Sequence, residues 1–288
     1  MKKHAVCLLL FCLTACAAKE QPAFDEAVWR AQVDATDASL LYAKHVDDDG
    51  YFFNPWMPRE NQSFSVIRVL RYIFSAKEEY IYDFPVENYV HVENSYDYLS
   101  DPLNSSISFA GHASFVIKMN GQTILTDPFF SARALTVSKE VKLDFPFEKL
   151  HERPVVLISH NHYDHLDKRS ILKLVEKKAV FIVPLKLGKY MRNRGADWAD
   201  IYELDWWQSV ELDGIKYTLI PAQHRSKIAA QVLNSTLWGG LVLEGDKTVY
   251  FAVDSGYFNG YSELGKTFVP DYALLPPAVH PPRAMMHY

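Results

Sequence analysis

The chain has 288 residues, 49% of them hydrophobic, and a net charge of −5 at neutral pH, which is enough apolar material for one large domain with a sizeable core. Its 30 lysines and arginines are scattered, which excludes a basic nucleic-acid footprint. All three cysteines (Cys7, Cys12 and Cys16) lie near the start, so the body of the chain has no disulfide or thiolate ligand, and histidine and carboxylate are left to carry any metal.

Met1-Lys2-Lys3-His4 is a charged start, Ala5 to Leu13 is almost wholly apolar, and Thr14-Ala15-Cys16-Ala17 supplies small residues before a cleavage point. This reads as a secretory signal, residues 1–16, too short to span a bilayer as a mature helix. Leu13-Thr14-Ala15-Cys16 resembles the bacterial lipobox, in which the cysteine becomes the lipidated first residue. The expectation is therefore a chain held on a membrane surface through Cys16. Ala17 points, by analogy with Gram-negative lipoproteins, to the outer membrane and its periplasmic side.

Residues 17–104 read as a polar, aromatic-rich extension. Glu26 to Tyr42 has a helical pattern, and Asp47-Asp48-Asp49-Gly50 is a turn without the alternating oxygen ligands of a calcium loop. Phe64, Ile67, Leu70 and Phe74 predict an amphipathic helix whose stripe serves either packing or a membrane surface.

Around Ser106 the pattern changes to strands. Ile107 to Phe109 and Phe115 to Met119 flank Gly111-His112, Asn120-Gly121 is a hairpin turn, and Thr123 to Leu125 leads into Asp127-Pro128. Val155-Val156-Leu157-Ile158 is short and β-branched, a buried strand. Directly after it comes Ser159-His160-Asn161-His162-Tyr163-Asp164-His165-Leu166-Asp167, rich in potential metal ligands. Residues two apart in extended chain point to the same side, so His160 and His162 can grip one ion. Asp164 and His165 follow after the chain turns and address a second point. Imidazole and carboxylate suit zinc best, with iron or manganese also open. Ile171, Leu172 and Val175 then recur at helical spacing between Ser170 and Lys178.

Val180 to Val183 predicts a strand and Leu185 to Arg194 a helix. Val210 to Leu212 and Ile215 to Ile220 form a hairpin about Asp213-Gly214, and Trp238 to Leu243 and Thr248 to Val253 another about Gly245-Asp246. Asp271 to Pro276 is a final strand. Three strand ends thus present His160 with His162, then His224, then Asp254; separate strands of one sheet could aim them at one point.

His160-x-His162-x-Asp164-His165 resembles the signature of the metallo-β-lactamase superfamily of binuclear metallohydrolases. Gly111-His112-Ala113-Ser114-Phe115, Leu125-Thr126-Asp127-Pro128, Leu204-Asp205-Trp206-Trp207, Pro221-Ala222-Gln223-His224, Leu237-Trp238-Gly239-Gly240 and Asp254-Ser255-Gly256-Tyr257 follow in order. Together with Tyr51-Phe52-Phe53-Asn54-Pro55-Trp56, they look like the branch containing N-acyl-phosphatidylethanolamine-hydrolysing phospholipase D and its bacterial relatives.

The resemblance implies an α+β chain folded as a four-layer αββα sandwich over residues 105–288. It implies hydrolysis of a phosphodiester in an N-acyl-phosphatidylethanolamine-type phospholipid, with one or two zinc ions. His160, His162 and His224 would hold the first ion, Asp164 and His165 the second, and Asp254 would bridge them. Water between the ions would be acidified from about 15.7 toward about 7, so no protein nucleophile is required and Asp164 and Asp254 are the carboxylates at the reacting centre. His112 and Asp127 fall near the metal loop, either orienting ligands or serving as hydrogen-bonded turn residues. A lactonase, a β-lactamase, another small-molecule esterase and a non-catalytic metal-binding protein stay open on the same scaffold. The family continues with a helix and a strand carrying a last histidine. The expectation is thus a shortened chain with a weakened second site and low activity, with His280 and His287 as possible replacement donors.

Overall fold

The computed structural model describes residues 26–62, 96–101, 105–131, 133–134, 137–138, 145–151, 153–196, 199–227 and 232–275. The signal segment with Cys16, the stripe from Phe64 to Phe74, and His280 and His287 lie outside them. Among the described residues no helix is long and apolar enough to cross a membrane.

Two sheets form from the alternating segments. The first contains β1 (Ser106–Phe109), β2 (Phe115–Met119), β3 (Gln122–Thr126), β4 (Val155–Leu157), β5 (Val180–Pro184) and β6 (Asp200–Leu204), side by side in chain order. The first three are antiparallel and the rest continue in parallel from β3. The second contains β7 (Ser209–Leu212), β8 (Ile215–Ile220), β9 (Gly240–Glu244), β10 (Thr248–Phe251) and β11 (Tyr272–Leu274), antiparallel except for the β10–β11 pair. Asn120-Gly121 and Asp213-Gly214 close their hairpins with positive φ at both residues, the backbone that a two-residue turn between twisted strands demands.

Period-two alternation sorts side chains into layers. Ile117, Ile124, Leu157 and Ile182 from the first sheet meet Tyr217, Leu219, Leu241 and Phe251 from the second in the central core. Their neighbours Val116, Leu125, Val156 and Phe181 face outward onto Ile171 and Leu174 of α2 (Lys168–Glu176) and Leu187 and Met191 of α3 (Leu187–Arg192). On the far side Ile220, Val242 and Tyr250 pack against Leu264 of α4 (Gly260–Phe268). Helix, sheet, sheet and helix follow one another, giving the αββα order.

Three elements depart from the pattern-based reading. The helix from Glu26 stops at Asp34 as α1. Asp37 then accepts a hydrogen bond from the Ser39 N–H and starts a separate 3-10 turn, Ala38–Tyr42, because a short acid side chain offers the backbone an alternative to a continued helix. Strand β6 and helix α4 carry weak signals: β6 is short and lacks apolar–polar alternation, and α4 contains Gly260 and Gly265, poor helix formers.

Residues before β1 also join the body. Phe52 sits in the central core, and the Trp207 indole N–H donates to the Leu41 carbonyl at 2.9 Å.

Candidate metal centre

Strand register brings the site together. Thr126 of β3 pairs in parallel with Leu157 of β4, so the residues that follow each strand, Asp127 and Ser159, emerge side by side. In the second sheet, β8 and β10 flank the antiparallel β9, with Ile220 opposite Gly240 and Leu241 opposite Phe251. Their continuations deliver His224 and Asp254 on the same edge. The candidate ligand residues therefore come from two facing sheets, not from the single sheet that the sequence reading assumed. A side chain at Gly239 would place its Cβ 2.6 Å from the Ile220 carbonyl oxygen. Glycine there lets its N–H reach the Ser159 carbonyl at 3.1 Å, tying the second sheet to the histidine loop.

Three imidazole nitrogens converge. His160 Nε2 lies 2.8 Å from His162 Nδ1 and 3.1 Å from His224 Nε2, and His162 Nδ1 lies 3.3 Å from His224 Nε2. Donors about 2.0–2.1 Å from a tetrahedral zinc stand about 3.3 Å apart, so this triangle has close to the spacing of a coordination face. A carboxylate oxygen of Asp254 joins the same cluster. Burial first, and then the neighbouring histidine charges, hold His160 well below the ordinary imidazole range. Burial likewise brings His162 down to about 3 and His224 to about 4. The three rings are neutral with lone pairs to give, as metal ligation requires.

Beside this triangle lies a second cluster of His112, Asp164 and His165. Asp254 Oδ2 stands 3.2 Å from His165 Nε2, which places this carboxylate between the two clusters. That nitrogen is buried and makes no hydrogen bond of proper geometry; without an ion it faces the Asp254 carboxylate as an N–H, and only after losing that proton could it ligate a cation. Burial opposes the charge on Asp164 and Asp254. At Asp164 the His112 hydrogen bond and the charges on His165 and His112 together outweigh it, and at Asp254 the charge and hydrogen bond of His165 with the other nearby histidines do, so both carboxyls stay ionised below their usual range. Burial would depress His165, but the Asp254 charge and the Asp127 hydrogen bond raise it well above the normal value.

Asp127 underlies both clusters. Fully buried, it accepts from the Ser159 N–H at 2.7 Å, the Ser159 hydroxyl at 2.5 Å and His165 Nδ1 at 2.8 Å. Because the Ser159 hydroxyl donates to Asp127, it accepts from His160 Nδ1 at 2.8 Å, which leaves His160 Nε2 facing the triangle. One carboxylate thus sets the tautomer of two histidines. The orienting role, one of two roles open in the sequence, is the one this geometry fits. Burial raises the Asp127 pKa despite the pull of His165.

Several residues that brace the candidate site carried no signal of their own in the sequence. Ser159 is one. Asn54, whose side-chain N–H donates to the His224 carbonyl at 2.9 Å, is another. Gln223 accepts from the Trp56 indole N–H at 2.9 Å and donates to the Tyr257 carbonyl at 3.3 Å, joining the His224 and Asp254 loops. Their surrounding motifs, Asn54-Pro55-Trp56 and Pro221-Ala222-Gln223-His224, were the available pointers. His45, stacked on Trp206 and 2.7 Å from Asp205, fixes the corner below.

The sequence profile of the beta-lactamase superfamily domain matches residues 122–288, more than half of the chain. The chain is 33% identical over 174 residues to a UPF0173 metal-dependent hydrolase of Metallosphaera sedula, covering 60% of this chain and 71% of that protein. It is 31% identical over 196 residues to the N-acyl-phosphatidylethanolamine-hydrolyzing phospholipase D 1 of Caenorhabditis elegans, covering 62% of this chain and 55% of that protein. The chain spans about half the length of several curated relatives it matches. Among solved structures, the metallo hydrolase Igni18 of Ignicoccus hospitalis aligns with a TM-score of 0.49 and 25% identity, over 60% of this chain and 71% of that one.

Proposed function

The chain belongs to the beta-lactamase superfamily, and we propose that it is a metal-dependent hydrolase whose substrate is a phosphodiester of the N-acyl-phosphatidylethanolamine class. The observation that carries the hydrolase reading is the neutral triangle of His160, His162 and His224 beside a second cluster, with Asp254 between them. The name of the worm relative supports the phospholipid class.

Neutral imidazole with carboxylate is a donor set that fits zinc, and iron or manganese next. His160, His162, His224 and Asp254 would hold one ion, and Asp164 and His165 a second beside Asp254. Such ions supply Lewis-acid activation of water and neutralise charge on phosphoryl oxygens. The protein's own part is preorganisation. Asp127 and Ser159 fix the ring of His160, Asp127 fixes His165, and Asp164 and Asp254, held ionised, keep their carboxylate oxygens available to the ions. Ser159, His160 and His165 are buried, while Asp164, His112 and Asp254 border solvent. Substrate would therefore approach from the side of Asp164 and Asp254.

Lipid attachment at Cys16, in an outer membrane, would bring this site to a membrane-borne substrate. Mass spectrometry of the mature N-terminus, with Cys16→Ser as control, tests that part; an unmodified chain beginning at Met1 refutes it. The activity is tested by elemental analysis of the purified chain together with a substrate panel of N-acyl-phosphatidylethanolamine, a simple phosphodiester, a lactone and a β-lactam. Turnover of the phospholipid, lost on chelation, is expected. Faster turnover of the lactone or β-lactam overturns the substrate class, and absence of bound metal overturns the hydrolase reading.

A further inference from the structure

His112 sits in a turn that the fold holds tightly. The turn links β1 and β2, with the Ala110 N–H donating to the Ser114 carbonyl at 2.8 Å and the Ser114 N–H to the Gly111 carbonyl at 2.9 Å. The Ser114 hydroxyl donates to the Asp127 carbonyl at 2.7 Å, so the turn is pinned to the residue that orients the histidines. His112 itself has φ +52°, a left-handed conformation that a non-glycine residue keeps only where its surroundings over-determine it.

Its ring is held from two further sides. It packs edge-on against Phe129 at 5.8 Å and against His165 at 5.2 Å between centroids. That leaves His112 Nε2 2.9 Å from Asp164 Oδ2. The same oxygen lies 3.8 Å from His165 Nε2. His112, Asp164 and His165 each bring a donor atom to one place, and the three atoms lie within 4.8 Å of one another, close enough to share a single ion.

Resting on the metal-dependent reading above, we infer that His112 is itself a ligand, the third protein donor of the second ion beside Asp164 and His165. Position 112 then decides whether the protein holds two ions or one.

The test uses the whole protein, stripped of metal and titrated with zinc and with cobalt(II), and reads stoichiometry, affinity and the cobalt d–d spectrum. His112→Gly removes the ring while suiting the left-handed backbone. His112→Gln keeps an N–H for Asp164 near the Nε2 position but is a poor donor to these ions. The wild type is expected to take two ions. Both variants should keep the first and bind the second more than about 100-fold more weakly, beyond the ~10–100-fold typical of groups that only orient a ligand. The cobalt spectrum should change only in its second equivalent. A His112→Gln protein that binds both ions like the wild type reduces His112 to a hydrogen-bond donor and overturns the inference. So does a wild type that takes one ion, or a His112→Gly protein that takes two unchanged; in each the metal-dependent reading stands. A wild type that binds neither metal overturns that reading along with the inference.

Discussion

At the scale of single residues, the site depends on keeping three histidines neutral and correctly turned. Removing His162 breaks the triangle at Nδ1, so His162→Ala should abolish stoichiometric binding at the first position; full metal content by elemental analysis in that variant would contradict the assignment. Asp127→Asn keeps the volume but takes the charged acceptor away from Ser159 and His165. Metal affinity should fall about 10–100-fold with the ligands untouched, measurable by competition with a chromogenic chelator. The pH dependence follows from the same residues. The folded pKa values of His162 and His224, about 3 and about 4, lie below the unfolded value of about 6.5. Between about pH 6.5 and about 4 the unfolded chain therefore takes up more protons at these rings, and the metal-free protein loses stability as pH falls through that window. Asp127, raised by burial, works in the opposite direction but is one group against three, since His160 is depressed as well; His165, raised above its normal value, acts mainly above pH 6.5. The melting temperature of the metal-free protein should thus drop on acidification from pH 6.5 to pH 4; a flat profile would show that the rings are not neutral in the fold.

Elements position these residues through contacts that tolerate little change. Trp238 is fully buried; its indole N–H donates to the Ala222 carbonyl at 2.8 Å, and its own carbonyl accepts from the Trp206 indole N–H at 2.6 Å. The adjoining Gly239 has its backbone hard against Ile220. Gly239→Ala should destabilise by about 1–3 kcal/mol through overpacking. It should also weaken metal binding, because the N–H bond to Ser159 would lengthen; chemical denaturation and a metal titration of one variant check both. Leu174 on α2 is a contrasting case. Leu174→Ala empties a fully buried position in the outer core and should cost about 2–5 kcal/mol, leaving metal stoichiometry unchanged.

For the molecule as a whole, bound metal and folding are linked, since the donors meet only when both sheets are packed. An ion that binds the folded chain alone stabilises it by about 2.7 kcal/mol at a free concentration one hundred times its Kd. Chelation should lower the melting temperature of the wild type and leave His162→Ala almost unmoved. An equal response in both would place the stabilising ion elsewhere. Residues 38–62 belong to the same cooperative unit on this account, since Phe52 enters the central core and Asn54 and Trp56 brace the His224 loop.

The residues after Val155 were legible because local chemistry specifies them. A β-branched apolar run must be buried, ligand types two residues apart in extended chain must face one way, and Asn120-Gly121 and Asp213-Gly214 must turn. Strand identities in both sheets, the αββα layering and the grouping of His160, His162, His224 and Asp254 therefore read through from pattern and resemblance. Strand β6 and helix α4 did not, because an edge strand without apolar–polar alternation and a helix containing two glycines lack periodic contrast. Only the packed structure could show that the candidate ligands come from two sheets, that Asp127 reaches Ser159 and His165 at once, and that His112 joins Asp164 and His165 in one cluster. Those facts depend on strand register and on the approach of segments about thirty or more residues apart. Sequence spacing carries no such distances; they are set when hydrophobic burial drives the two sheets together.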